Sequence, residues 1–451
     1  MMAAGKHVMK PLRSVTMTAL ASRMTALALT MTALALGAAG CASGGGTGSD
    51  STVEIIHWWT AGGEKEAIEA LLGDFAQQHP NEPVTNTAVM GSTMARATIA
   101  TRMLLSEPPD TFQANGGWDL LSWVLYNNID DTSSKMETID DTAADQHWAD
   151  YIPSSVLDTV SYKGHIYAVP LDIHRLNTMF YNVSLFDQSG LPMPQKLDDL
   201  FAAAAAFQAM GVKYPLSLGI KDGTWLPLLF FENLLVARAG GAFYKNFMRG
   251  LGDPFGPEIA ATVDDLATFF SYTNPNATSL TWNQAADRVI AGDAALTVMG
   301  DWAKAYMASM ARINYDFGAV PTPGTTGTFI FTTDTFGHPI GALNPQGTTD
   351  MLVVFGSKDG QDTFNLLKGS ISPRSDSDTT KYDELAKQTI ADFQAASANE
   401  TLFPATAILA PQAFLTAVDM ALQTFLSNRD KSVLIHTIAN YYDILKNSIL
   451  L

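Results

Sequence analysis

Two adjacent indoles, a diglycine and a carboxylate stand together in the tract His57-Trp58-Trp59-Thr60-Ala61-Gly62-Gly63-Glu64. Indoles offer flat apolar faces to the C–H face of a sugar-like ring, and a carboxylate accepts the protons of ring hydroxyls. The chemistry suggested is recognition of a small polyol. A structural alternative stays open: neighbouring strand residues point to opposite faces, so one indole joins the core unless the strand has already ended. Glu64 could equally complement the positive end of a helix dipole.

The elements that must position this tract can be read from periodicity. Val53-Glu54-Ile55-Ile56-His57 is rich in β-branched residues and predicts a strand. Ile68, Leu71, Leu72 and Phe75 recur at helical spacing behind it. In open α/β sheets, ligands bind where strands end and helices begin.

The amino end reads as a targeting segment. Lys6, Lys10, Arg13 and Arg23 precede an apolar stretch from Met24 to Ala39, and the chain's single cysteine, Cys41, follows. Leu36-Gly37-Ala38-Ala39-Gly40-Cys41 is similar to a bacterial lipobox, with Ala38 where leucine is more usual, which implies lipidation of Cys41. Residues 1–41 are thus expected to be a signal peptide. Residues 42–51, rich in Gly and Ser, form a tether reaching roughly 17 Å. No later segment is long and apolar enough to span a bilayer, so a lipid on Cys41 is the expected membrane anchor.

Lys and Arg total 27 against 45 acids, a net charge of −18, and the leader carries four of the basic residues and no acid. This balance opposes nucleic-acid binding and favours a neutral ligand. No Cys or His cluster has metal-ligand spacing and no phosphate-binding Gly loop occurs, so neither metal nor cofactor is expected.

Alternating strand-like and helix-like stretches argue an α/β fold. The spacing predicts helices over Lys196 to Met210, Glu258 to Phe270, Asn283 to Ala291, Asp301 to Met310, Gln361 to Leu367 and Tyr382 to Ala396. Strands are expected over Ile166 to Pro170, Ala294 to Met299, Phe317 to Val320 and Met351 to Phe355.

Several tracts together resemble the extracellular solute-binding proteins of bacterial sugar ABC transporters, in the glucose/mannose-type lipoprotein branch of family 1. They are the Trp58-Trp59 tract, Pro108-Pro109-Asp110, Val169-Pro170-Leu171-Asp172-Ile173-His174-Arg175, Met299-Gly300-Asp301-Trp302-Ala303-Lys304, Thr333-Asp334-Thr335-Phe336 and Lys368-Gly369-Ser370-Ile371-Ser372-Pro373-Arg374. The resemblance implies a type II periplasmic-binding-protein fold: two discontinuous α/β lobes, residues 52–169 plus 321–368 and residues 170–320 plus 369–451, joined by a hinge. It implies a monomer that closes on a sugar and delivers it to the permease subunits of an ABC importer outside the cytoplasmic membrane. It carries over Trp58, Trp59, Glu64, Trp282, Trp302, Asp334 and Lys368 as ligand-binding positions, with Asn115, His174 and Trp225 as their neighbours.

These residues also have chemistry of their own. Asp334 could accept two hydroxyl protons of a vicinal diol or serve an Asx turn. Lys368 could donate to a ring hydroxyl, pair with Asp334, or sit as a helix-end cation. Asp301 reads as an N-cap and Trp282 as a loop indole before a helix. His174 fits either a hinge hydrogen bond or a ligand contact. Two departures stand out. The family's carboxyl-terminal Pro-Ser-x-Ala-His tract is replaced by Pro404-Ala405-Thr406-Ala407-Ile408, which puts Ile408 at the histidine. The lysine-bearing stretch is reduced to Met90-Gly91-Ser92-Thr93-Met94-Ala95-Arg96. Losing a charge-assisted donor removes on the order of 1.5–3 kcal/mol, so the ligand's far side is read differently from the family's usual glucose. The competing functions are a secreted carbohydrate-active enzyme, using carboxylates such as Glu64, Asp301 and Asp334, and a surface sugar sensor or adhesin.

Overall fold

Val53–His57 lies inside a five-stranded sheet ordered Val84–Ala88, Val53–His57, Thr111–Asn115, Asp334–Gly337 and Ala168–Pro170. The first three strands are parallel, and the crossover between Val53–His57 and Val84–Ala88 is the helix Gly62–Gln78. Asp334–Gly337 enters antiparallel to both neighbours, with Asp334 opposite Asn115 and Thr335 opposite Pro170. The computed structural model describes residues 51–125, 134–221, 223 and 225–447. The expected leader, Cys41 and most of the tether lie outside the described residues.

Both faces of this sheet are covered. Ile55 buries in a cluster with Trp59, Phe75, Phe336, Phe355 and Phe364. Its neighbour Ile56 buries on the opposite face with Phe112, Leu120 and Met136, as strand alternation requires. A second sheet, wholly antiparallel, is ordered Phe317–Pro321, Thr178–Asn182 and Leu296–Met299. Its core holds Phe180, Phe207, Phe230, Phe269 and Phe425, several from the helices Leu197–Ala209, Trp225–Ala239, Pro257–Ser271 and Gln412–Asn428.

A small third sheet, Leu402–Pro404, Phe329–Thr332 and His174–Arg175, forms the seam between these cores. Ile330 buries in the second core while Phe329 and Phe331 bury in the first. Ile371, Phe393 and Ala396, in a stretch expected to belong to the second lobe, bury with the first core.

The expected helices are found at Leu197–Ala209, Pro257–Ser271, Trp282–Ala291, Trp302–Ala308, Lys358–Lys368 and Glu384–Ala398. One strand expectation is overturned: Met351 to Phe355 lies in the helix Pro345–Gly356. Pro345 sits in its first turn, and the Asn344 side chain accepts from Gly347 N at 2.9 Å. That cap and the burial of Met351, Leu352, Val354 and Phe355 at helical spacing outweigh a five-residue apolar run. Among the described residues, no helix is long and apolar enough to cross a membrane.

Candidate functional site

The strand Val53–His57 ends at a cavity of about 540 Å³. His57 organises the exit. Burial lowers its pKa to about 4, so the ring is neutral. Nε2 meets Asn86 Oδ1 at 2.6 Å and Nδ1 accepts from Trp59 N at 3.2 Å. Trp59 is only 1% exposed and packs against Phe336 and Phe364, so it serves the core as well as the cavity wall. Trp58 is half-buried, and the Arg96 guanidinium lies 4.6 Å from its ring centroid. Arg96 is itself held by Asp119 at 2.8 Å, and Asp119 accepts from Asn115 N at 3.0 Å.

The diglycine serves helix packing. A Cβ on Gly63 would stand 2.5 Å from Leu367 O. Helix Gly62–Gln78 can therefore press against helix Lys358–Lys368 only with glycine there. The close approach puts Glu64 in its first turn beside Lys368 in the other helix's last turn.

Lys368 is 1% exposed, with Nζ 2.9 Å from Glu64 Oε1, 3.0 Å from His174 Nε2 and 4.0 Å from Asp334 Oδ2. Burial works against its charge, but Glu64, Asp334 and Asp172 outweigh burial and raise its pKa. His174 Nδ1 lies 2.5 Å from Asp301 Oδ1, and Nε2 lies 3.1 Å from Asp172 Oδ2. Burial and Lys368 disfavour the imidazolium, yet Asp172 and Asp301 hold the pKa of His174 well above its ordinary value. Asp334 is also buried, but hydrogen bonding from His174 and the charge of Lys368 pull its carboxyl below the usual range. Its Oδ1 accepts from Gln113 Nε2 at 2.8 Å, and Gln113 Oε1 in turn takes Trp58 N at 3.0 Å. Burial pushes Asp172 upward against the pull of His174.

Asp172, His174 and Asp334 offer three ligand atoms within 4.8 Å of one another, a grouping that a cation could use. The Lys368 ammonium at 3.0 Å from His174 Nε2 already supplies a positive charge there.

Aromatic rings adjoin this polar group. Trp302 meets His174 edge-on at 5.1 Å and Trp225 at 5.7 Å, while Trp282 meets Tyr306 at 5.4 Å. The Lys368 ammonium lies 5.2 Å from the Trp59 ring and 5.9 Å from the Trp302 ring. Glu232, on helix Trp225–Ala239, forms part of the floor. Its Oε2 accepts from Thr406 N at 3.0 Å, Thr406 Oγ1 at 2.9 Å and Tyr244 OH at 3.2 Å. Burial nevertheless raises its pKa to about 7.

Trp58, Trp59, Glu64, Asn115, His174, Trp225, Trp282, Trp302, Asp334 and Lys368, the ten positions singled out from the sequence, all line this one cavity. Two local expectations change, and one alternative falls. Asp301 stands at the N-cap position of helix Trp302–Ala308 but caps nothing, because its carboxylate is turned to His174 and to Arg175 N at 3.0 Å. Trp282 is the first helical residue rather than a loop residue, with Thr281 as the cap. Asp334 is no Asx-turn acid, since it opens the strand Asp334–Gly337. Ile408 is fully buried against Gly117, where an added Cβ would meet Ile408 O at 2.3 Å, and Ala405 and Ala407 line the cavity instead.

Sequence reasoning missed Arg96, Asp119, Gln113 and Glu232. Arg96 carried a signal, as the one cation in the tract where the family expects lysine. Glu232 carried another, as a lone acid within the apolar run Leu226 to Val236.

Residues 61–362 match the family model for bacterial extracellular solute-binding proteins. The chain is 33% identical to an uncharacterized ABC transporter extracellular-binding protein of Pyrococcus horikoshii, over 87% of this chain and 89% of that protein. It is 30% identical to a probable sugar-binding periplasmic protein of Mesorhizobium japonicum, over 78% of this chain and 82% of that one. Among solved structures, the bacterial solute receptor AcbH superposes with a TM-score of 0.75 at 17% identity, covering 88% of this chain and 98% of the receptor. The fold is that of the two-lobed type II periplasmic-binding proteins.

Proposed function

The chain belongs to the bacterial extracellular solute-binding protein family, and from that premise we propose that it captures a neutral sugar in the cavity and delivers it to the membrane subunits of an ABC importer. It works outside the cytoplasmic membrane as a receptor, not as an enzyme, so the carbohydrate-active enzyme considered from sequence gives way to a binding protein.

The observation that carries the sugar assignment is the pairing of indoles with fixed charged groups in the lining of one cavity. The indoles of Trp225, Trp282 and Trp302 line one cavity of about 540 Å³ together with the polar group of Glu64, Asp334, Lys368 and His174, and Trp302 meets the His174 ring edge-on. Flat apolar surface beside fixed charged donors and acceptors suits a pyranose, whose faces are apolar and whose edge is ringed with hydroxyls. Four carboxylates, Glu64, Asp172, Asp301 and Asp334, surround two cationic groups, Lys368 and His174. That excess of negative charge disfavours phosphorylated or acidic sugars.

The hinge in this reading consists of His174–Arg175, Phe329–Thr332 and Leu402–Pro404, because residues of this seam bury in both cores. Residues 369–401 then move with the first lobe rather than the second. Closure is driven by the contacts a ligand makes to both lobes at once. The chain acts as a monomer, and the lipid on Cys41 tethers it.

Calorimetric titration with a panel of mono- and disaccharides, accompanied by product analysis, tests the assignment. Saturable heat with one sugar and no product is expected. A flat panel would remove the sugar assignment, and turnover would remove the receptor.

A further inference from the structure

Helix Gly62–Gln78 carries Glu64 at the cavity, and its other end presents a second group of side chains. His79 is the C-cap, and its ring stacks on Phe75 with centroids 4.9 Å apart and planes 15° apart. The chain then turns through Pro80 and Asn81, with Glu82 N donating to His79 O at 3.0 Å. This turn brings His79 and Glu82 to one side, facing Asp350 on helix Pro345–Gly356. His79 Nδ1 lies 3.6 Å from Asp350 Oδ2, and one ligand atom from each of the three residues lies within 4.8 Å of the others.

The local polar accounting does not close. Glu82 Oε2 is shielded from solvent and receives no hydrogen bond. Asp350 Oδ1 is occupied by Gln346 Nε2 at 2.9 Å, and Asp350 Oδ2 is turned to His79. Burial, and the charge and hydrogen bond of the neighbouring Asp350, push the Glu82 carboxyl upward against the opposing pull of His79. Among the described residues, no lysine or arginine forms an ion pair with Glu82 or Asp350. A shielded acceptor oxygen thus stands beside a second carboxylate and a ring nitrogen with no lysine or arginine to balance it.

We propose that His79, Glu82 and Asp350 bind a divalent cation of the zinc class, with water completing the shell. One imidazole nitrogen and two carboxylates are donors such an ion takes, and three protein ligands leave a position for solvent. Two of the ligands are already oriented, His79 by the Phe75 ring and Asp350 by Gln346. The ion would staple the end of helix Gly62–Gln78 to helix Pro345–Gly356. This site stands apart from the sugar assignment and does not depend on it.

The test uses the full chain carrying Cys41→Ser, so that the thiol does not compete, after chelator treatment and dialysis. Zinc chloride is titrated by calorimetry and in thermal melts, with calcium and magnesium chloride alongside. One zinc per chain and a rise in Tm of a few degrees are expected, with His79→Ala and Glu82→Gln each weakening zinc at least tenfold. Asp350→Asn gives an independent third variant. Sugar affinity should stay within twofold in all three variants and in the chelated protein. Absence of zinc heat, or an equal Tm rise in the His79→Ala/Glu82→Gln double variant, would overturn the site. Stabilisation on acidification that zinc does not reproduce would overturn it too, by showing that the carboxyls share a proton.

Discussion

Lys368 Nζ and Glu64 Oε1 stand 2.9 Å apart across 304 residues of sequence, and their contact joins the last turn of one helix to the first turn of another. Removing the ammonium would strand Glu64, Asp334 and the buried carboxylates behind them. Lys368→Met is therefore expected to cost about 3–5 kcal/mol of stability, read as a lower urea midpoint. A midpoint equal to that of the wild type would mean that solvent, rather than Lys368, balances these charges.

Trp282 is half-buried and opens a helix that Thr281 caps independently. Trp282→Ala should weaken sugar binding tenfold or more with a near-normal Tm. Asp334 is 6% exposed and held by Gln113, His174 and Lys368, so Asp334→Asn is the informative change there. It should also lower affinity at least tenfold. Unchanged titration curves would take the residue concerned out of the site.

Glu232 gives a pH signature. Its folded pKa of about 7 lies above the ordinary 4.5, so the folded state holds the proton more tightly than the unfolded chain. The contribution to stability is fully present below about pH 4.5 and is lost as pH rises to 7, by about 3 kcal/mol. Glu232→Gln removes that slope. His57, pushed down to about 4, acts in the opposite sense between pH 4 and 6.5. The quantity to measure is therefore the difference between variant and wild type, by urea unfolding at pH 5 and pH 8. A difference that does not change with pH would show that Glu232 is ionised in the folded protein at both pH values.

Ala407 and Ile408 separate two readings of the carboxyl-terminal tract. Ile408→His would bury an imidazole in an apolar cluster beside Gly117 and should lower the Tm without improving any sugar's affinity. Ala407→His places a donor at the cavity wall and should change the order of affinities across the sugar panel. If Ile408→His folds normally and gains affinity, the side chain at 408 reaches the ligand after all.

Much of this was legible in the sequence because it was written in local pattern. The strand Val53–His57 and the helix behind it followed from periodicity, whereas the ten cavity residues were carried over from the family resemblance. Met351 to Phe355 misled because a short apolar run buries equally well as strand or helix, and the deciding cap, Asn344, lies outside it. The Asp301 carboxylate misled for another reason. Its position suits a cap, but a buried imidazole 127 residues away in sequence binds it more strongly. Arg96 and Glu232 gain their roles from partners that spacing does not reveal, Asp119 and Trp58 for the first, Thr406 and Tyr244 for the second.

The strand Asp334–Gly337 lies between Thr111–Asn115 and Ala168–Pro170, which precede it by well over 150 residues. A chain growing from its amino end therefore keeps an open edge on Thr111–Asn115 until residue 337 has emerged. Open edges recruit strands from other chains, and pairings this distant form slowly. The same insertion that aims Asp334 at the cavity makes the unfinished chain vulnerable to aggregation, and the first sheet cannot close before Gly337 has been made.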